Sequence, residues 1–152
     1  MNPALAELTR RHLEAENRQD MEATLATLHP ACRFDDFATG QTWHGRDGAA
    51  AHYRQWWTTF DVEVKKGPGQ RSYWSTDEAC IAEATWHGRH IGRFLGIEPT
   101  NRTVVQPFVV ILTFKDGLML TEQFHYDLAS LLRQIGADPI PALGNLGFRQ
   151  AA

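Results

Sequence analysis

The chain has 152 residues, a formal net charge of −3 and 43% hydrophobic residues. This length suits one domain with a sizeable core. The balance of charge gives no sign of nucleic-acid binding, and no apolar run approaches the roughly 18–20 residues that cross a membrane. Cys32 and Cys80 are too few and too far apart to indicate a zinc site or disulfides, and the charged N-terminus is not a secretory signal. We therefore expect a cytoplasmic protein.

Three helices are predicted in the N-terminal part of the chain. The first begins at Pro3 after the candidate cap Asn2, with inward positions at helical spacing: Leu5, Leu8, His12 and Leu13. A second, short helix follows the cap Asp20 and ends at His29-Pro30. The third is expected to be capped by Asp47, and its apolar face consists of Ala49, Tyr53, Trp56, Trp57 and Phe60.

Strands dominate the rest of the chain. Those predicted before residue 90 cover residues 31–37, 61–65, 70–76 and 79–87, with loops at 38–45 and 88–101 and a turn at 67–69. Helices first and a meander of strands afterwards favour an α+β fold, with an antiparallel sheet and helices on one face. A twisted sheet wrapped around the N-terminal helices leaves a cone whose mouth is a pocket for a ligand.

The clearest local signal is a hairpin. Strands at 103–114 and 118–127 flank Lys115-Asp116-Gly117, and an Asp-Gly pair between apolar runs is typical of a tight hairpin turn. Strict alternation places Thr121, Gln123, His125 and Asp127 on one face of the second strand and Leu120, Glu122, Phe124 and Tyr126 on the other. The first of these faces is predicted to carry the chemistry. A short helix over 128–135 stops at Gly136, so we expect a domain over 1–136 and a Pro/Gly/Ala-rich tail over 137–152.

Two runs of sequence, GRHIGRFLGIEPTNRTV and FKDGLMLTEQFHYDLASLLRQIG, closely resemble the SnoaL-like polyketide cyclase (ester cyclase) branch of the NTF2-like superfamily. The first matches the family pattern at Gly88, His90, Gly92, Phe94, Gly96, Ile97, Pro99, Thr100 and Arg102. The second matches it at Phe114, Asp116, Gly117, Glu122, Asp127, Leu131, Gln134, Ile135 and Gly136. Departures include Asn101, Phe124, and the residues beside His90, which put the substrate in question more than the fold.

The resemblance implies a cone-shaped NTF2-like fold, usually a homodimer, without metal or organic cofactor. It also implies that Asp127 is the acid/base. This carboxylate would remove a proton from an activated carbon of a polyketide ester, and the resulting enolate would attack a carbonyl of the same molecule. An apolar surround would raise the pKa of such a carboxyl and make it a stronger base.

Further candidates accompany Asp127. His90, helped by His125 or Gln123, would stabilise the enolate. Expected substrate contacts are His87, Trp43, His52, Tyr53, Trp56 and Asp36. The spacing of the histidines does not suit a metal site, so none is expected.

Each candidate has a structural alternative. Asp127 could instead cap the helix that follows it, for which aspartate is a preferred residue. Gln123 and His125 reach the pocket only if their face is the inner one. Asp35 and Asp36 point to opposite sides of a strand, so at most one of them enters the pocket.

We therefore expect a cofactor-free acid/base enzyme acting next to a carbonyl of a hydrophobic small molecule, most concretely a polyketide-type cyclase. The same pocket could serve an isomerase, a dehydratase or an epoxide hydrolase, because the fold alone does not determine the reaction. A non-catalytic small-molecule binding protein on the same scaffold is the alternative from another class.

Overall fold

A computed structural model describes residues 3–66 and 72–146. Its helices are α1 (Pro3–Asn17), α2 (Met21–Ala26), α3 (Gly45–Phe60), α4 (Leu128–Gln134) and α5 (Pro139–Leu143), followed by a 3-10 turn at Gly144–Leu146. Its strands are β1 (Leu28–Asp36), β2 (Gln41–His44), β3 (Glu63–Lys65), β4 (Ser72–Ser75), β5 (Ala79–Arg89), β6 (Thr103–Lys115) and β7 (Leu118–Tyr126).

The strands form one curved sheet in the order β2-β1-β7-β6-β5-β3, with β4 also paired to β5. β1 runs parallel to β7, and the other neighbours are antiparallel. Helices α1 and α3 pack on the inner face of this sheet. The predicted α+β fold, with a curved sheet around N-terminal helices, is confirmed.

Two hydrophobic clusters hold the helices to the sheet. The first joins α1 and α3 to the sheet and includes Leu5, Leu8, Phe34, Tyr53, Trp57, Val110 and Met119. The second lies between the end of α3 and α4 and includes Phe60, Trp86, Phe94, Val104, Leu131, Leu132 and Ile135. Residues of both clusters line the cavity described below.

The β6–β7 hairpin forms as predicted, but its pairing is not regular. Asp116 (φ 53°) and Gly117 (φ 72°) both take the left-handed conformation that a tight hairpin turn requires. Thr113 pairs with Thr121, whereas Phe114 pairs with Met119, so β7 contains one extra residue at this point. As a result Met119 and Glu122 both face the interior, which strict alternation does not allow.

Element boundaries differ from the predictions where strand pairing decides them. β1 starts at Leu28, so the expected helix end at His29-Pro30 is wrong, and the expected loop 38–45 contains β2, which pairs with β1. α3 begins at Gly45 after His44, so Asp47 is not its cap. The predicted turn at 67–69 lies outside the described residues.

The start of the predicted tail is helical. Asp138 caps α5 by accepting a hydrogen bond from the amide of Ile140, and Ala142 is buried against the second cluster. Residues 147–152 lie outside the described part of the chain. The division into a domain ending at residue 136 and a tail stays a prediction. No helix in the described ranges is both long and apolar enough to cross a membrane.

Candidate active site

A cavity of about 430 Å³ lies between α1, α3 and the inner face of the sheet. Its walls are mainly apolar and include Trp56, Trp57, Trp86, Phe108, Val110 and Phe124. Polar side chains interrupt these walls, among them Thr9, Arg10, Lys66 and Glu83. Two further groups contain hydrogen-bonded acids and bases, and we call them the His12 cluster (His12, Glu16, Tyr53 and Glu122) and the Asp36–Tyr126 pair.

The His12 cluster is assembled from three elements. His12 and Glu16 lie one helical turn apart, so both project from the same face of α1. Tyr53 comes from α3, and Glu122 comes from β7 just after its extra residue. Burial of Leu5 and Leu8 on the same side of α1 holds this helix face against the cavity.

Short contacts join the members of the His12 cluster. His12 Nε2 lies 3.1 Å from Glu122 Oε1 and 3.1 Å from the Tyr53 hydroxyl oxygen, and that hydroxyl donates to Glu122 Oε1 at 3.2 Å. Glu16 Oε2 lies 3.9 Å from His12 Nε2. The Glu16 side chain is 19% exposed, whereas the other three residues are almost fully buried. Glu16 is therefore the member of the cluster most open to a ligand.

The hydrogen bonds around His12 determine where its protons lie. Thr27 donates its hydroxyl hydrogen to the carbonyl of Thr24 at 2.6 Å, so Thr27 Oγ1 accepts a hydrogen bond from His12 Nδ1, also at 2.6 Å. With a proton on Nδ1, the contact between Nε2 and the Glu122 carboxyl needs a second proton between them. His12 and Glu122 thus form an acid/base pair that shares this proton.

Burial and charge shift the pKa values of three members of the His12 cluster, and they bring that of Glu16 close to neutral pH. Burial lowers the pKa of His12, but the charge of Glu122 and the hydrogen bond to it more than offset this, so the pKa is raised. Burial raises the pKa of Glu16 to about 7, with a contribution from Glu122, while His12 opposes the shift. Burial and the two glutamates raise the pKa of Tyr53 well above its usual value. The cluster therefore combines a cation, a phenol and a carboxyl that exchanges its proton near neutrality.

The Asp36–Tyr126 pair is the second polar group in the cavity wall. Asp36 Oδ1 accepts the amides of Ala38 and Thr39, both at 3.0 Å, and Oδ2 accepts the Tyr126 hydroxyl at 2.9 Å. Burial raises the pKa of Asp36, although the hydrogen bonds oppose this, and burial with the charge of Asp36 raises the pKa of Tyr126 well above its usual value. Asp36 points inward and Asp35 pairs with Arg33 and Thr42, so the expectation that at most one of them enters the pocket is confirmed.

His52, Tyr53 and Trp56, expected as substrate contacts, do line the cavity. His52 stacks on Phe124 with ring centroids 5.0 Å apart and meets four other aromatic rings edge to face: Phe34, Trp43, Tyr53 and Trp56. Its buried Nδ1 has no hydrogen-bond partner, and burial lowers the pKa of His52 to about 3. His52 is therefore a neutral aromatic part of the wall.

The predicted catalytic face of β7 lies outside the cavity. Asp127 is exposed, and its Oδ1 accepts the Ser130 amide at 2.9 Å as the N-cap of α4. His125 is exposed and stacks on exposed Phe37 at 4.6 Å, while Gln123 does not line the cavity. The expectation that this face is the inner one is wrong, because Glu122 and the aromatic side chains Phe124 and Tyr126 fill the interior.

His90 is buried but lies in the packing of the second cluster instead of the cavity. Its ring stacks on Phe60 at 5.2 Å, and Nδ1 accepts the Thr100 amide at 3.3 Å. Burial lowers the pKa of His90. The flanking glycines leave no room for a side chain: a Cβ on Gly88 or Gly92 would lie 2.3 or 2.5 Å from a backbone oxygen of α3. His87 and Trp43 are also absent from the described cavity wall.

Four residues of the site were not among the candidates from sequence: His12, Glu16, Glu122 and Tyr126. Glu122 stands between Leu120 and Phe124 on an otherwise apolar face, and a charged residue in such a place indicates a buried functional group. The spacing of His12 and Glu16 on the buried face of α1 is a similar signal. Within residues 3–66 and 72–146, no group of His, Cys, Asp and Glu side chains is arranged to hold a metal ion.

The family model of SnoaL-like polyketide cyclases matches residues 6–135, so the chain belongs to this family. A candidate polyketide cyclase from Xanthomonas campestris shares 21% identity, with 88% of this chain and 97% of that chain covered and a TM-score of 0.76. TsrD from Streptomyces laurentii shares 27% identity over 90% and 98% of the two chains, with a TM-score of 0.75.

An NTF2-like protein of unknown function from Burkholderia pseudomallei is 23% identical over 90% of this chain and all of that chain, with a TM-score of 0.71. These likenesses identify the fold as NTF2-like. Among proteins of curated function, no sequence matches this chain.

Proposed function

We propose that the protein is a cofactor-free acid/base enzyme that moves a proton next to a carbonyl of an apolar aromatic molecule, in a polyketide-type intramolecular aldol cyclisation. The observation that carries this proposal is the Glu16 carboxyl, which faces the cavity with a pKa of about 7 beside the His12–Glu122 pair. A general base is most effective when its pKa lies near the working pH.

Each member of the His12 cluster has a role in this proposal. Glu16, as a carboxylate, takes a proton from the carbon next to the carbonyl, and the imidazolium of His12 stabilises the negative charge that develops on the enolate oxygen. The enolate carbon then attacks a second carbonyl of the same molecule, and the resulting alkoxide takes the proton back from Glu16. Glu122 raises the pKa of His12 and keeps it charged, and Tyr53 contacts both His12 and Glu122 and holds them in place. Glu16 ends the cycle as a carboxylate again, and the addition involves no oxidation or reduction.

The apolar wall supports the same reaction. Large aromatic side chains on α3, β5, β6 and β7 exclude water and give flat surfaces on which aromatic rings can stack: Trp56, Trp57, Trp86, Phe108 and Phe124. Exclusion of water strengthens the electrostatic effect of His12 on a developing enolate. The substrate class that this wall favours is a flat, largely apolar molecule with carbonyl groups.

A surrogate substrate tests the proposal. Exchange of the acetyl protons of 6-acetyl-2-naphthol in heavy water, followed by proton NMR, reports proton abstraction next to a carbonyl. We expect the wild-type protein to accelerate exchange and Glu16→Gln to lower the rate by about 10²-fold or more. Glu14→Gln, on the exposed side of the same helix, is the matched control and should keep the wild-type rate. If the wild type binds the compound but does not accelerate exchange, the protein is a binding protein and the enzyme proposal is wrong.

We also propose a homodimer, which the family resemblance implies, formed through the outer face of the sheet. Val105 (45% exposed) on β6 and Phe37 (56% exposed) beside β7 leave apolar surface on this side. Sedimentation equilibrium should give twice the chain mass for the wild type, and Val105→Lys should shift it towards the monomer. A monomeric wild type contradicts this proposal.

A further inference from the structure

The Asp36–Tyr126 pair is a second polar site that the proposed reaction does not use. Glu122 and Tyr126 lie four residues apart on the same face of β7, which separates them by about 13 Å at ~3.3 Å per residue. The wall between them is formed by Phe124 on β7 and by Trp56 and His52 on α3. A ligand that reaches both polar sites is therefore long and flat, with an oxygen atom at each end.

The direction of the hydrogen bonds sets what the Asp36–Tyr126 pair can recognise. Both amides of the loop after β1, from Ala38 and Thr39, point at Oδ1 of Asp36. The Tyr126 hydroxyl donates its hydrogen to Oδ2. The Tyr126 oxygen, like Asp36 Oδ2, is then left with lone pairs and no hydrogen to offer. The pair accepts hydrogen bonds and does not donate them.

We propose that the Asp36–Tyr126 pair binds a hydroxyl group at the end of the substrate opposite to the reacting carbonyl, by accepting its hydrogen. The substrate class is then an elongated hydroxyaromatic ketone or ester. The inference rests on the proposed function only in naming the His12 cluster as the reacting end. The hydroxyl site itself is defined by binding and can be tested without turnover.

Replacement of Asp36 by asparagine should change the site from one that prefers a hydrogen-bond donor on the ligand to one that prefers an acceptor. The amides of Ala38 and Thr39 need an acceptor, so the asparagine oxygen must take the place of Oδ1 and its NH₂ group must face Tyr126. That NH₂ donates to the Tyr126 oxygen, and the Tyr126 hydrogen turns towards the ligand. The variant site therefore favours an acceptor such as an ether or a carbonyl.

The test measures equilibrium binding of 6-acetyl-2-naphthol and of its methyl ether through quenching of tryptophan fluorescence, since Trp56 and Trp86 line the cavity. We expect the wild type to bind the naphthol about tenfold more tightly than the ether, the effect of one hydrogen bond. Asp36→Asn should bind the ether at least as tightly as the naphthol. Asp35→Asn, whose side chain faces Arg33 and Thr42 outside the cavity, is the matched control and should keep the wild-type ratio.

Tyr126→Phe keeps the ring beside Trp56 and removes only the oxygen, so it should bring the two affinities close together even if Asp36→Asn does not fold. An unchanged ratio in Asp36→Asn or Tyr126→Phe overturns the inference, as does a wild type that binds neither compound or binds both equally. The Glu16→Gln variant separates the two proposals. Loss of proton exchange supports Glu16 as the base, and an unchanged ratio of the two affinities shows that the hydroxyl site does not depend on it.

Discussion

His12 on the first helix lies 3.1 Å from Glu122 on the last strand, and both side chains are buried in the wall of an apolar cavity. The contact joins the two ends of the fold, because α1 closes over the face of the sheet that carries Glu122. His12 and Glu122, which meet between α1 and β7, also act on the pKa of Glu16, the proposed base. The pH dependence of stability and the proposed role of Glu16 are therefore linked, and the link can be measured.

Glu16→Gln should stabilise the protein at neutral and alkaline pH. The pKa of Glu16 is raised from 4.5 to about 7 in the folded state, so the folded protein binds this proton more tightly than the unfolded chain. The stabilisation that this gives the folded state is fully present below pH 4.5 and is lost as the pH rises to about 7. The free energy of unfolding then falls by about 3 kcal/mol, at about 1.36 kcal/mol per pKa unit. Urea unfolding at pH 5 and pH 8 measures it. Glu14→Gln should follow the wild type, and equal pH dependence in Glu16→Gln contradicts the prediction.

His52→Phe should remove a sensitivity to acid. The pKa of His52 is lowered from 6.5 to about 3, so the unfolded chain binds this proton more readily than the folded protein. This contribution to stability is present above pH 6.5 and is lost as the pH falls towards 3. The loss amounts to about 2–3 kcal/mol at pH 4.5. Replacement of the ring by phenyl also removes the buried Nδ1, which has no hydrogen-bond partner. Unfolding curves at pH 7 and pH 4.5 compare it with His125→Gln, whose exposed ring should give the wild-type acid response.

Asp127→Ala should affect stability and leave proton exchange intact. Its carboxyl caps α4 through the amide of Ser130 and lies outside the cavity, so loss of the cap should cost about 1 kcal/mol. Asp127→Asn should cost less, because asparagine is also a good cap. Thermal unfolding and the acetyl exchange rate are measured on the same samples. A fall in exchange rate as large as that of Glu16→Gln would restore Asp127 as the acid/base.

Gly88→Ala and Gly92→Ala should show that the segment around His90 is structural. A Cβ at either position would meet a backbone oxygen of α3 at 2.3 or 2.5 Å, and the backbone has little freedom to move. We expect each variant to lose about 1–3 kcal/mol of stability. Gly144→Ala, which has open space around the new Cβ, serves as the control and should be neutral. Wild-type melting temperatures for both variants would contradict this role.

Local patterns were enough to predict the fold. The Asp-Gly turn, the helical spacing of apolar residues and the chain order of helices before strands predicted the α+β architecture, and the long matched runs predicted the family. These features depend on residues close in sequence. Boundaries failed at Leu28, which pairs with Met119 of β7, and at Gly45, which follows the pairing of β2 with β1.

The site was predicted less well, because it depends on which face of β7 points inward. Asp127 fits the pattern of an acid/base and that of a helix cap equally well, and the sequence does not show which of the two roles its side chain has. From Thr121 to Tyr126 the side chains alternate as predicted, because the extra residue near Leu120 comes before them, so only the choice of the inner face was wrong. Glu122 and His12 are 110 positions apart in the chain, so spacing alone does not reveal their contact.

The pH dependence of proton exchange tests the central claim most directly. Glu16 must be ionised to accept a proton, so the exchange rate catalysed by the wild type should rise with pH through a midpoint near 7. The rate should fall again at higher pH, where His12 loses the proton that stabilises the enolate. Glu16→Gln should lose both the rate and this midpoint. An equally fast Glu16→Gln variant with the same midpoint would show that another group is the base.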